Sequence, residues 1–471
     1  MTHFPIPFLL SSAGYSVLLE STPRAWLDLG SSDPDQWTVR VSGTRLAYTV
    51  LVNRDPARAL LYLAQQRGMP PIPPIWSFGP ARAIGADETV FDMPEHIALR
   101  EFGVPTTAVI ETADLLPSGS HQSTTERVHS STDLDAYGYA LIGVISPHMS
   151  STAAALEPEY SQAASDGYLV LNQSGEPYLV NLLDHPGESM ALLDPTRPLA
   201  LVFFQALVSE LIDLGYDGFR FTHGEYVPND AVFSSGVSGR EIHNTYPGLF
   251  LEALNELRET TELTADLFVA TRAGYSQVSA WVDSVWAGSQ NSSFESADGL
   301  PAAVRAGLSL GLSGVPYYSS DLGGAREPNL GSLDKDLYLR WTAFSALTPT
   351  MQDTPTELAE GSDGWDIWSD NETLETYREF AALHTRLVPY LHGSAQIASE
   401  TGLPLMRHLF LHYPNDENVL TIEDEYFLGP SLLVAPVLQR NALSRQVYLP
   451  DGEFYSWFGG RVLSGPRTTT V

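Results

Sequence analysis

The sequence contains no cysteine, which excludes disulfide bridges and thiolate metal sites. Lysine is almost absent as well, since Lys335 is the only one among 25 basic residues, and acidic residues number 57. The resulting net charge of −32 offers no basic surface to nucleic acid or to an anionic membrane. We therefore expect neither of them as a partner.

Long apolar runs are also missing. No stretch approaches the roughly 18 residues that a membrane-spanning helix needs. Residues 1–8 lack the basic segment and apolar stretch of a signal peptide, so the sequence predicts a cytoplasmic protein. Neither a metalloprotease motif, a phosphate-binding loop nor a serine-hydrolase elbow is present, and no His/Asp ligand cluster is evident. The sequence thus predicts no metal and no cofactor.

The chain divides into three regions by its hydrophobic pattern. Residues 1–65 contain short β-rich runs at 15–19, 37–41 and 46–52, and residues 400–471 return to the same pattern. Between them, residues 70–395 alternate predicted strands with predicted helices. The strands fall at 106–110, 140–145, 218–221 and 267–270, and the helices at 201–214 and 249–258. This pattern predicts a (β/α)8 TIM barrel flanked by small N-terminal and C-terminal β-sandwich domains.

A doubly wound open sheet is the competing fold for the middle region, but no glycine-rich nucleotide loop follows its first strand. In a barrel, the residues just beyond the carboxyl ends of the strands form the active site. Polar segments of this kind lie at 111–114, 222–230, 271–274, 286–291 and 319–324. They carry acids, an arginine and aromatic side chains, a combination that suits carbohydrate because aromatic faces stack on sugar rings.

Two of these segments resemble strand-end loops of retaining α-glycosidases. One is Gly-Phe-Arg-Phe-Thr-His-Gly-Glu-Tyr at 218–226, and the other is Val-Trp-Ala-Gly-Ser-Gln-Asn at 285–291. Ser-Asp-Leu-Gly-Gly at 320–324 and Val-Pro-Tyr-Leu at 388–391 extend the likeness. With these landmarks in order over residues 5–465, the chain resembles glycoside hydrolase family 31, and especially its sulfoquinovosidase branch. The resemblance implies a catalytic barrel, an α-glycoside as carbohydrate partner, and no metal or cofactor.

The resemblance also locates the site residues. It puts the family's nucleophilic carboxylate at Thr222 and its acid/base carboxyl at Ser289. Retaining hydrolysis needs both carboxyl groups. The family's late Arg-x-His falls on residues 352–354, here Gln-Asp-Thr. Arg272, Trp286 and Asp321 remain as candidate sugar-binding residues.

Three hypotheses follow. The first is a degenerate glycosidase that binds α-glycosides or serves as a partner subunit, with homo-oligomerisation left open. The second is an active hydrolase or transglycosidase with reassigned acids, for which Glu225 is the first candidate. The remaining acids near the predicted mouth are Asp230, Asp283, Glu295 and Asp321. The third is a scaffold that binds no carbohydrate. Arg272 and Asp321 could also form an internal ion pair, and Trp286 could simply belong to the core.

Overall fold

The computed structural model describes residues 4–85, 88–116, 131–152, 157–182, 188–260, 266–354 and 356–471. Its centre is a ring of eight parallel strands whose neighbours follow chain order, with the last strand beside the first. The strands are β1 (Ala81–Ile84), β2 (Ala108–Leu116), β3 (Ala140–Ile145), β4 (Gly218–Phe221), β5 (Phe268–Thr271), β6 (Ser284–Trp286), β7 (Tyr318–Ser319) and β8 (Gln352–Asp353). The predicted (β/α)8 barrel is confirmed.

Alternation along each strand separates the inside of the barrel from its outside. Small residues dominate the inward face, where alanines leave room for a few larger side chains. The inner cluster consists of Ala81, Ala83, Ala108, Ile110, Ile142, Phe268, Ala270 and Trp286. Gly218 is required where β4 meets β5, because a Cβ at this position would lie 2.8 Å from the Phe268 carbonyl oxygen. Outward residues such as Phe219 and Val269 join the larger core beneath the helices.

The helices that surround the barrel are of ordinary length, apart from one of 31 residues. They span Glu95–Glu101, Glu157–Ser165, Pro198–Asp213, Gly239–Ile242, Tyr246–Thr260, Leu300–Leu312, Lys335–Ser345 and Asn371–Thr401. A short sheet of His148–Ser150, Leu179–Val180 and Met190–Leu192 lies beyond β3. Within the described ranges, none of the helices combines the length and apolar character needed to cross a membrane.

Small β-structures flank the barrel on both sides. At the amino end, Phe8–Ser11, Tyr15–Leu19 and Tyr48–Val52 form an antiparallel sheet, beside the hairpin of Ala25–Asp28 and Thr38–Val41. The helix Pro56–Arg67 packs Leu60 and Leu63 against this sheet. At the carboxyl end, Met406–His408, Tyr426–Leu428 and Leu432–Val434 form one sheet. Two further pairs follow, Gln446–Leu449 with Arg467–Thr470 and Glu453–Tyr455 with Val462–Ser464.

The ring closes at a weak seam. The two-residue strands β7 and β8 are joined through a single parallel bridge between Asp321 and Gln352, with Leu322 N donating to Gln352 O at 3.0 Å. On the outer side of β1 and β8, Arg82 forms ion pairs with Glu95, at 2.7 Å, and with Asp353. Burial raises the pKa of Asp353 to about 6, against the opposing effect of Arg82. A buried charge cluster therefore ties β8 to β1.

The strands predicted at 140–145 and 218–221 are found with those bounds. The polar segment at 111–114 was expected to be a strand-end loop, and this is wrong. It continues β2, which runs to Leu116 and pairs with β3 across two irregularities in register. Backbone pairing with β3 there outweighs the turn preference of an Asp-containing polar stretch.

We expect Arg82→Met to lower the free energy of unfolding by about 3–5 kcal/mol, because it leaves two buried carboxylates without a counter-charge. Arg58→Met is the matched control. Arg58 is exposed and lies 3.6 Å from Asp55, so its loss should cost less than about 1 kcal/mol. Denaturant unfolding of both variants measures the two losses in free energy of unfolding. Equal losses would show that the buried ion pairs of Arg82 contribute no more to stability than an exposed ion pair.

The buried carboxyl group of Asp283 should make the stability of the protein depend on pH. Burial raises the pKa of Asp283 from 3.8 to about 6, although Arg258 donates to its carboxylate at 2.9 Å. Between about pH 4 and 6 the folded protein therefore holds a proton that the unfolded chain releases. The contribution of Asp283 to the free energy of unfolding is therefore present at pH 4. It falls by roughly 3 kcal/mol as the pH rises to 6.

Asp283→Asn should remove this part of the decline. Between pH 4 and 6 the free energy of unfolding should therefore fall less steeply with pH in the variant than in the wild type. The exposed Asp213 supplies the control Asp213→Asn, which should keep the wild-type slope. Unfolding curves at half-unit pH steps measure the slopes. Parallel curves for wild type and Asp283→Asn would contradict the prediction.

Candidate functional site

Two hydroxyl side chains stand where the resemblance locates the catalytic carboxylates. Thr222 follows β4 directly; it is buried, and its amide donates to Ile145 O of β3 at 2.9 Å. Ser289 lies three residues beyond β6, after Gly288, whose φ of 81° turns the chain, and it is half-buried. Both residues lie at the carboxyl ends of their strands, the end at which barrel active sites form.

His223, the next residue after Thr222, has φ of 62°. A residue with a Cβ rarely adopts this left-handed conformation, which is stored strain of the kind found near functional sites. Its ring is buried and lies 6.3 Å from the ring of His148, nearly perpendicular to it. The conformation turns the chain sharply where β4 ends and leads it into Gly224 and Glu225.

Asp321 is the centre of a hydrogen-bond group at the mouth. Its Oδ1 accepts from Arg220 Nη2 at 3.3 Å, from Gln352 Nε2 at 2.5 Å and from the Thr354 hydroxyl. Oδ2 makes no hydrogen bond within the described part of the chain. Residues 352 and 354, where the resemblance locates the family's Arg-x-His, thus both donate to the same oxygen of Asp321.

Arg220 was not recognised from the sequence. It points inward from the middle of β4, where its guanidinium carbon lies 4.3 Å from the centre of the Trp286 ring. The signal was available, because alternation along Phe-Arg-Phe-Thr puts residues 220 and 222 on the same face. Trp286 is buried against the inner barrel cluster, so it belongs to the core as well as to the wall beneath the mouth.

Arg272 pairs with Glu225, and Arg220 pairs with Asp321. The Arg272 Nε lies 2.9 Å from Glu225 Oε1, and both side chains are at least nine-tenths buried. This ion pair connects the end of β5 to the loop after β4. The structure therefore gives Arg272 a different partner from the Asp321 considered on sequence grounds.

The remaining candidate acids lie elsewhere. Asp283 precedes β6 at the amino end of that strand, the end opposite the mouth, and accepts from Val269 N at 2.8 Å. Asp230 is exposed and accepts from the Tyr178 hydroxyl at 2.9 Å. Glu295 is exposed. Among the described residues, no group of three or more His, Asp or Glu side chains is arranged to hold a metal ion.

Ion pairs join buried arginines to carboxylates at the mouth. Two buried arginines each form an ion pair with one carboxylate, and the two positions of interest carry neutral hydroxyl groups. Hydroxyl groups and a carboxylate oxygen can hydrogen-bond to a sugar, whereas the buried Trp286 ring already stacks with the Arg220 guanidinium. The usual pair of carboxyl groups for nucleophilic attack and proton transfer is missing from these two positions.

Comparison with known protein families identifies two domains. The model of the glycosyl hydrolases family 31 TIM-barrel domain matches residues 70–394. The model of the glycosyl hydrolase family 31 C-terminal domain matches residues 402–471. The first match alone covers more than half of the chain.

Curated relatives include two sulfoquinovosidases. The one from Escherichia coli (strain K12) is 33% identical over 333 residues, covering 70% of this chain and 48% of the relative. The one from Agrobacterium fabrum is 32% identical over 346 residues, covering 72% and 50%. An alpha-xylosidase, XylQ, from Lactiplantibacillus pentosus is 27% identical over 485 residues, covering 98% and 60%. The chain spans about half the length of the two sulfoquinovosidases.

Solved structures share the fold. A family 31 sulfoquinovosidase from E. rectale, in complex with an aza-sugar inhibitor, has a TM-score of 0.90 at 23% identity, covering 100% of this chain and 71% of that one. A family 31 dextranase from Flavobacterium johnsoniae, complexed with glucose, has a TM-score of 0.88 at 23% identity, covering 99% and 59%. With the family models matching barrel and C-terminal domain in order, the chain belongs to glycoside hydrolase family 31.

Proposed function

We propose that this protein binds an α-linked glycoside at the carboxyl end of its barrel and does not carry out the two-carboxylate retaining hydrolysis. The observation that carries the proposal is the pair of hydroxyl residues, Thr222 after β4 and Ser289 after β6. Neither can replace a carboxyl group in its role. A threonine hydroxyl is a weak nucleophile without an adjacent base, and a serine hydroxyl is far too weak an acid to protonate a leaving group near neutral pH.

The electrostatics of the mouth support the loss of hydrolysis. Glycoside cleavage passes through an oxocarbenium-like transition state that carries positive charge, so a productive site needs negative charge near the anomeric carbon. Here the Asp321 and Glu225 carboxylates are each neutralised by a buried arginine. An arginine beside each of these two carboxylates lowers the negative charge that the carboxylate can offer to such a transition state.

Asp321 is the residue that supports retained sugar binding most directly. Three donors hold its Oδ1 in place, and its Oδ2 accepts no hydrogen bond from the described residues. A carboxylate fixed in this way can accept a hydrogen bond from a sugar hydroxyl without losing side-chain freedom on binding. The hydrogen bonds to Oδ1 therefore support a role for Asp321 as a ligand-binding acceptor.

The alternative is an active enzyme in which Glu225 has become the catalytic acid. Its carboxylate is buried in an ion pair with Arg272 at 2.9 Å. Acting as a proton donor would require the neutral acid beside a buried guanidinium, which would then lack its counter-charge. The contacts of Glu225 therefore favour a structural role in the loop after β4.

We expect wild-type protein, incubated at high concentration with aryl α-glucosides, α-xylosides and α-sulfoquinovosides, to release no more phenol than a heat-inactivated control. The double variant Thr222→Asp/Ser289→Asp should release measurably more, because it restores a carboxyl group at both positions where the resemblance locates one. The two single variants are the controls and should stay well below the double variant.

Wild-type turnover that disappears in Glu225→Gln, with folding intact, would instead establish the alternative. Wild-type turnover that persists in Glu225→Gln would refute both assignments. Folding of each variant is checked by its circular dichroism spectrum and melting temperature, so that an unfolded variant is not mistaken for an inactive one.

Sugar binding is tested separately with Asp321→Asn. The asparagine can keep an oxygen facing Arg220, Gln352 and Thr354 while replacing the ligand-facing oxygen by an NH2 donor. A lost hydrogen bond to a charged group should weaken the affinity for a monosaccharide or aza-sugar ligand by roughly 10- to 100-fold. Titration calorimetry measures this, with Asp213→Asn as the control. Equal affinities in wild type and Asp321→Asn would remove Asp321 from the binding site.

A further inference from the structure

Arg407 is a buried arginine far along the chain from the barrel mouth. It is the middle residue of the strand Met406–His408 and pairs in register with Phe427 of the strand Tyr426–Leu428. Only 4% of the residue is exposed. Most of its guanidinium therefore lies within the carboxyl-terminal β-structure.

This guanidinium lacks the partner that buried arginines elsewhere in the protein have. Arg82, Arg220, Arg258 and Arg272 each form an ion pair with a carboxylate. The Nε of Arg407 donates to Pro404 O at 2.8 Å, and this neutral carbonyl is its only hydrogen-bond acceptor among the described residues. Its Nη2 is buried and has no hydrogen-bond partner in the same part of the chain.

His412 carries a second buried nitrogen of this kind. The ring of His412 packs on Phe427, the cross-strand neighbour of Arg407, with ring centres 4.6 Å apart. Its Nε2 is buried and also has no hydrogen-bond partner among the described residues. Burial, and then the charge of Arg407, lowers the pKa of His412 to about 4.

A buried guanidinium without a counter-charge is costly, and a hydrogen bond to water satisfies the donor but leaves the charge. A small anion accepts the hydrogen bond and also neutralises the charge. We propose that Arg407 and His412 form a binding site for a monovalent inorganic anion of the halide class, with Arg407 Nη2 as the principal donor.

Bromide is the probe for the test. Thermal unfolding is compared in sodium bromide and in sodium gluconate at equal ionic strength, because gluconate is too large for a buried halide site. We expect the wild-type Tm to rise with bromide to a plateau, by roughly 2 °C at saturation. Arg407→Gln should abolish the rise. Sodium sulfate forms a third arm and separates a halide from a larger oxyanion.

Arg305→Gln is the matched control. Arg305 is half-buried near the same strand but has a carboxylate, Glu423, at 3.7 Å, so the variant should keep the bromide effect. An equal Tm in bromide and gluconate, or an unchanged rise in Arg407→Gln, would overturn the proposal. If Arg407→Gln does not fold, bromide-soaked wild-type crystals decide instead. An anomalous peak in contact with Arg407 Nη2 supports the site, and its absence refutes it.

Discussion

Closure of eight parallel strands into a ring is the constraint on which the rest of this structure depends. The strands at the seam have two residues each, and a single bridge between Asp321 and Gln352 joins them. Asp321 therefore helps to close the barrel at the point where its carboxylate reaches the mouth. Arg220 supports the closure from inside, and Arg82 supports it from outside through Asp353. The candidate sugar site and the weakest part of the fold thus share one hydrogen-bond group.

Much of the fold could be predicted from the sequence, and the reasons are local. The strands Ala140–Ile145 and Gly218–Phe221 were found because compact, largely apolar runs begin after turns. The strands Tyr318–Ser319 and Gln352–Asp353 were not, since two-residue polar segments carry no periodicity. Whether these two segments pair as strands is determined by the other six strands, which bring them together when the ring closes. The extension of β2 through 111–114 was missed for the same reason, because a neighbouring strand determines it.

The candidate site was predictable in its positions but not in its pairings. Thr222, Ser289, Asp321 and Arg272 could be located because each follows a recognisable strand or motif. The ion pairs depend on which side chains face each other across the barrel, and chain distance says little about this. Arg220 and Asp321 are 101 residues apart, whereas Arg272 and Glu225 are separated by 47. The net charge of the whole chain, −32, gives no indication of the two buried ion pairs at the mouth.

The left-handed backbone at His223 has a consequence for recognition. A non-glycine residue remains in this conformation only where its surroundings determine it completely, since the strain costs of order 1–3 kcal/mol. The turn from β4 into Gly224 therefore holds its shape before any ligand arrives. Preorganisation of this kind spares a ligand the entropy of ordering the loop. For the proposed glycoside ligand, selectivity at this edge of the mouth would then be a matter of fit to a rigid contour, without remodelling of the turn.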